Sequence, residues 1–196
     1  MNIFVLLLAL PALSFIQDEV DVQTGEDRVT AVYSFEFTTS ADPEQMFQVL
    51  KEYSSESSDT VQSALSEVEI IHRSDRGWEV RHLYEVGFAV FSDRTEMVLA
   101  YEVLEGDAPM RLEWGLVESL DGKVFDSSGF WEVYAGEDGS GSRVKYVSRM
   151  VYEKKAGVPF ALNNFSKGSV RRTLRGLAEA AAEAESGAGE EAGSGT

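Results

Sequence analysis

Two histidines, His72 and His82, are the only side chains of their kind, and the chain has no cysteine. Histidine exchanges a proton near neutral pH, so either could act as a general acid–base or orient a polar ligand head. His82 carries the stronger case because it shares the alternating parity of Trp78 and Tyr84. The plainer reading is a histidine satisfied inside the fold or at a sheet edge. Two histidines without a thiolate partner make a poor metal site, so no metal is expected. Ser54, Ser55, Ser57 and Ser58 lie in a serine-rich break, and no Gly-x-Ser-x-Gly motif occurs. Activated-serine hydrolysis therefore has no support. The glycine-rich run 136–141 separates two strand patterns, which makes it a hairpin and not a phosphate cradle. Asn164-Phe165-Ser166 fits a glycosylation sequon, relevant only in a eukaryotic secretory pathway. No catalytic residue and no cofactor is assigned.

The elements that would position these groups follow from periodicity. Val29, Ala31, Tyr33, Phe35 and Phe37 alternate with Thr30, Ser34 and Glu36, as one strand requires. Ser40 or Asp42 can cap a helix that Pro43 opens and that Met46, Phe47, Val49, Leu50 and Tyr53 fill at helical spacing. Val61, Ala64 and Leu65 suggest a second short helix or a turn. From Glu67 to Tyr152 the period is two, punctuated by turn signals at Asp75-Arg76-Gly77, Glu105-Gly106-Asp107, Asp121-Gly122 and 136–141. One apolar and one charged face result, as in an antiparallel meander. After Gly157 the spacing becomes helical, with Leu162, Phe165, Ser169, Thr173, Leu177 and Ala181 on one side and Lys167, Arg171 and Arg175 on the other. This order gives an α+β architecture: a curved antiparallel sheet of about seven strands around a long C-terminal helix, with two short helices after the first strand.

The ends differ from this body. Ile3 to Ile16 is almost wholly apolar but too short for the ~30 Å bilayer core, and Pro11 interrupts it. Ala12-Leu13-Ser14 offers small residues where a signal peptidase reads, so residues 1–14 are expected to be a signal peptide and the protein to be exported, to the periplasm or beyond the cell. An uncleaved anchor and a buried N-terminal element are the alternatives. Residues 15–28 read as a loose acidic leader, 29–184 as the folded domain, and 185–196 as a disordered acidic tail. The net charge of −17 argues against nucleic acid as a partner. Nine of the 17 basic residues fall within 143–175 beside a single acid. That segment either complements the anionic body or touches an anionic membrane surface.

Several local patterns together resemble the START-like (SRPBCC) superfamily, which comprises polyketide cyclase/dehydrase and lipid-transport proteins with the helix-grip fold. Ala41-Asp42-Pro43-Glu44, followed by Met46-Phe47 and Leu50, resembles the family's first helix. Gly129-Phe130-Trp131 resembles its late-strand Gly-x-Trp, and Gly139-Ser140-Gly141 before Val144 and Tyr146 its last hairpin. Gly157-Val158-Pro159-Phe160 and Arg171-Arg172-Thr173-Leu174 resemble the start and body of its last helix. The resemblance spans Val29 to Ala184. It implies a pocket between sheet and helix, lined from the inward parities by Trp78, His82, Tyr84, Met97, Leu99, Tyr101, Leu112, Trp114, Trp131, Tyr146, Ser148, Asn164 and Phe165. The implied partner is a hydrophobic small molecule or lipid. About ten buried methylenes contribute roughly 8 kcal/mol before association costs, so binding needs no catalytic machinery. The alternatives are a cyclase/dehydratase-type enzyme using His82 as acid–base, and an interaction module whose core is filled by its own side chains.

Overall fold

The computed structural model describes residues 13–55, 65–88, 91–104, 109–137, 139–155 and 158–191. Strand β1 (Ser14–Thr24) leads into β2 (Arg28–Thr39) and helix α1 (Pro43–Ser55). Six strands follow: β3 (Leu65–Arg73), β4 (Gly77–Phe88), β5 (Phe91–Leu104), β6 (Met110–Ser119), β7 (Val124–Ala135) and β8 (Ser142–Glu153). The chain closes with α2 (Val158–Ala161), a π-helical turn (Leu162–Ser166) and α3 (Lys167–Glu191). The strands form one antiparallel sheet in the order β1-β2-β8-β7-β6-β5-β4-β3. Returning β8 to β2 places β2 between β1 and β8, and leaves β1 and β3 as the edges.

Alternation decides which face is the core. In β2, Val29, Ala31, Tyr33, Phe35 and Phe37 are buried while the residues between them keep partial exposure. Helix α1 begins where Asp42 accepts from the Glu44 backbone N–H at 2.8 Å, so Asp42 is the cap. Its Met46, Phe47, Val49 and Leu50 are buried. Helix α3 packs along α1 and contributes Leu174, Leu177, Ala178 and Ala181 to the same core. At Gly141 the backbone has φ of 64°, and a Cβ there would run into the Thr39 carbonyl. Glycine is required for that close turn against β2.

Two expectations are corrected. The residues read as an acidic leader form β1, and this raises the strand number to eight. The strand is possible because Phe15, Val20 and Val22 face the core while Glu19 and Asp21 point outward. The one carboxylate on the core side, Asp18, is held by Lys167 at 3.2 Å and by Arg171. Helix α1 follows β2 as expected. The second short helix falls on residues of which 61–64 lie outside those described, and Leu65 opens β3. Finally, α3 continues to Glu191, through most of the segment expected to be a disordered tail. The alanine-rich run 178–184 just before it has high helical propensity, and the helix carries on past it. The signal-peptide expectation rests mainly on residues 1–12, outside the described residues.

Part of the cationic segment is paired within the fold. Arg143 lies 3.6 Å from Glu36, Lys155 lies 3.1 Å from Glu153, and Arg149 pairs with Asp126. Together with the Asp18 pairs, these contacts bring five of its nine cations to carboxylates.

Candidate functional site

Strand register gathers the aromatic residues. One cross-strand row runs Trp78, Tyr101, Trp114, Gly129, Ser148, Tyr33, from β4 through β5, β6, β7 and β8 to β2. The neighbouring row on the same face runs Leu112, Trp131, Tyr146, Phe35. Period-two alternation makes both rows point toward α1 and α3. The rings touch in sequence. Trp78 stacks on Tyr101 at 5.8 Å between centroids and 13° between planes, and Tyr101 lies 6.1 Å from Trp114. Trp114 stacks on Tyr146 at 5.8 Å, and Tyr146 lies 4.3 Å from Trp131. Gly129 makes this possible, because a Cβ there would overlap the Trp114 ring and the Val147 carbonyl.

The ladder is unevenly covered. Tyr101 is 8% and Trp131 5% exposed, as packed core residues are. Trp78, Trp114 and Tyr146 face the same interior but are only partly buried. Core side chains interdigitate to crystal-like density, so aromatic surface left accessible on the inner face marks room between sheet and helices. The rim of that room carries hydrogen-bonding groups. The Trp78 indole donates to the Ser54 carbonyl at 3.3 Å, which ties the end of α1 to β4.

A hydroxyl cluster lies beside the ladder. Tyr33 faces Ser148 across β2–β8, Tyr146 lies two residues along β8 on the same face, and the Ser166 hydroxyl on the π-helical turn donates to the Leu162 carbonyl. Burial raises both phenol pKa values, with the serine hydrogen bonds opposing, and for Tyr146 the nearby hydroxyls of Tyr53 and Tyr33 add to the rise. These groups are neutral hydroxyls at physiological pH. His82 is 2% exposed, and its ring stacks on Tyr101 at 5.8 Å. Burial lowers its pKa to about 4, opposed by a hydrogen bond with the Ser54 backbone. It is therefore an uncharged imidazole at neutral pH, far from the pKa that suits a general base there.

Of the residues expected to line a pocket, Trp78, His82, Met97, Leu99, Tyr101, Leu112, Trp114, Trp131, Tyr146 and Ser148 share the inner face. The side chain of Tyr84 lies outside the described residues. Asn164 and Phe165 are not brought to this face. Both are exposed, the Asn164 amide donates to the Phe160 carbonyl at 2.8 Å, and Phe165 meets Phe160 edge-on at 5.9 Å. The cause is the π-helical turn. Its extra residue rotates the face of the last helix, so that Ser166 meets Tyr33. Sequence reasoning missed Ser166 for this reason, and took Tyr33 and Tyr53 only as packing positions.

Among the described residues no group of three His, Asp or Glu side chains is placed to hold a metal ion. An open cavity of about 520 Å³ lies across β4–β6, lined by His72, Arg76, Glu79, Glu102 and Glu113 and also by the ladder residues Trp78, Tyr101 and Trp114. The charged positions alternate with the ladder residues along their strands, so their side chains stand on the outer face.

No protein-family model matches the sequence, and no curated protein matches it. Solved structures do. A STAR-related lipid transfer protein from Xanthomonas axonopodis superposes with a TM-score of 0.60 at 14% identity, covering 84% of this chain and 98% of its own. The Zhui aromatase/cyclase from Streptomyces sp. R1128 gives 0.52 at 18% identity, covering 80% and 94%. Norcoclaurine synthase from Thalictrum flavum gives 0.53 at 15% identity, covering 82% and 96%. The fold is thus the helix-grip fold of the START-like and cyclase structures, with eight strands in its sheet and a long C-terminal helix.

Proposed function

We propose that this protein is an exported carrier that holds a hydrophobic small molecule or lipid between the inner sheet face and the helices. The observation that carries the reading is the partly accessible aromatic surface of Trp78, Trp114 and Tyr146 on the inner face of the sheet. Fold neighbours with names such as lipid transfer protein and aromatase/cyclase support a ligand-holding interior. Export is supported by the apolar Ile3–Ile16 run: cleavage after Ser14 leaves Phe15 and nearly all of β1 in the mature chain. The depressed pKa of His82 favours binding over acid–base turnover at neutral pH.

The test is uptake from a lipid extract by the purified protein, compared with Trp114→Ala. The carrier reading expects an extractable ligand and about tenfold weaker retention in the variant, the order of magnitude for losing one aromatic contact surface. Equal retention by a folded variant would overturn the assignment of the ladder as the site.

Peripheral membrane contact is a second part of this reading. Phe160 is 61% and Phe165 40% exposed, and they form one aromatic pair at the start of the last helix. Arg172 and Arg175 follow on the same helix. Exposed aromatics beside cations suit the interface of an anionic bilayer. Loss of co-sedimentation with phosphatidylserine vesicles in Phe160→Ala/Phe165→Ala is the expected outcome.

A further inference from the structure

Deepening the membrane-contact reading, on which it rests, we propose that the start of β1 is a flap. At an anionic bilayer the lipid headgroups take Lys167 and Arg171 from Asp18, and Phe15 and Ile16 swing out into the interface beside Phe160 and Phe165.

The flap and the exposed aromatic pair lie at one end of the last helix. β1 touches the π-helical turn that carries Phe165, and Lys167 and Arg171 sit at the start of α3, directly after that turn. The Arg171 guanidinium lies over the Phe15 ring at 5.1 Å, and Asp18 takes Lys167 at 3.2 Å together with Arg171. Ile16, between Phe15 and Asp18 in the strand, is 59% exposed. Large apolar side chains next to cations suit the interface of an anionic bilayer.

The clasp can yield to such a surface. The side chains of Lys167 and Arg171 are 46% and 45% exposed, against 24% for Asp18. Headgroups therefore reach the cations without first displacing the acid. Half-exposed ion pairs are weak in water, and each cation gains about as much from an anionic leaflet. Once its cations turn away, Asp18 is a partly buried carboxylate without them, which is disfavoured. The strand end gives way before the rest of the sheet, because β1 is an edge strand and its register on β2 is broken by a bulge between Phe15 and Gln17.

Phe15 covers one side of the interior. It packs on Phe35 at 6.2 Å and on Phe37 at 5.9 Å, and Phe35 lies 6.4 Å from Tyr146, a ring of the ladder. Its departure uncovers these rings on the side that meets the bilayer. The β4 side is tied by an uncharged bond, from the Trp78 indole to the Ser54 carbonyl, and stays closed.

The chain has no cysteine, so nitroxide labels attach only where cysteines are introduced. Ile16→Cys and Ser169→Cys, both at exposed positions, take one label each. The distance between them is read in buffer, with phosphatidylcholine vesicles, and with vesicles containing phosphatidylserine. The proposal expects phosphatidylserine to lengthen it by about 10 Å, the reach of the residues from Phe15 to Gln17, and the other two conditions to leave it at one value. Asp18→Asn should lengthen it already in buffer and remove most of the response to phosphatidylserine. A parent-like distance and response in Asp18→Asn overturns the clasp. An unchanged distance in labelled protein that co-sediments with phosphatidylserine vesicles overturns the flap and leaves the membrane contact standing. Equal lengthening by phosphatidylcholine, or by inorganic phosphate alone, overturns the exchange of Asp18 for anionic lipid. No co-sedimentation overturns the flap and the membrane contact together.

Discussion

Trp114 lies against Tyr146, ring centroids 5.8 Å apart and planes at 21°, across a position that has no side chain. That position is Gly129, the register partner of Trp114 on β7 and of Ser148 on β8. The Gly-x-Trp pattern of β7 therefore has a physical cause. Its glycine admits the neighbouring indole, and its Trp131 stands in the next inward row beside Tyr146. Gly129→Ala should force the Trp114 ring off Tyr146 and cost roughly 1–3 kcal/mol of stability, the usual range for overpacking. Urea unfolding checks this, and a variant as stable as the parent would show that the ring moves aside freely.

His82 links stability to pH. Its pKa is lowered from 6.5 to about 4 by burial, so between those values the unfolded chain binds more protons than the folded one. Stability from this group is full above pH 6.5, falls as pH drops toward 4, and is constant below that. The total is on the order of 3 kcal/mol. Urea melts at pH 7.0, 5.5 and 4.5 should show a shallower loss in His82→Gln than in the parent. Parallel curves would place the histidine in contact with water.

Asp18 fastens the first strand to the last helix through Lys167, at 3.2 Å, and Arg171, whose guanidinium also lies over the Phe15 ring at 5.1 Å. The partners keep nearly half of their side-chain surface exposed, so the pairs are worth no more than about 1 kcal/mol in sum. Asp18→Ala should leave overall stability nearly unchanged yet speed hydrogen exchange in 14–24 and 162–171. Unaltered exchange in both segments would mean that apolar packing alone holds β1.

If export proceeds as proposed, the protein recovered outside the bacterial cytoplasm should begin at Phe15. An intact Met1 in intact-mass analysis of that fraction would contradict cleavage.

Much of this arrangement was legible because alternation is a strong signal. Trp78, Tyr101, Trp114 and Trp131 reach one face through parity and register alone. The Asp42-Pro43 start of α1 was equally plain, since both the cap and the fixed φ of proline are local. Two features were not legible. Strand β1 looked like a leader because its acidic residues mask a short alternation, and because the partners of Asp18 lie about 150 residues away on α3. Phe165 was placed inside by 3.6-residue spacing, which the π-helical turn breaks. No periodic pattern announces such a turn, so the inward role of Ser166 could be seen only with Tyr33 in place.

Native mass spectrometry of residues 15–196, produced with export from a bacterial host and followed by solvent extraction, tests the central claim most directly. The carrier account predicts a stoichiometric extra mass that leaves on extraction, and an apo protein that takes up a ligand again from a lipid extract. A clean apo mass with no uptake would contradict it, and would make the aromatic ladder the packed core of an interaction module.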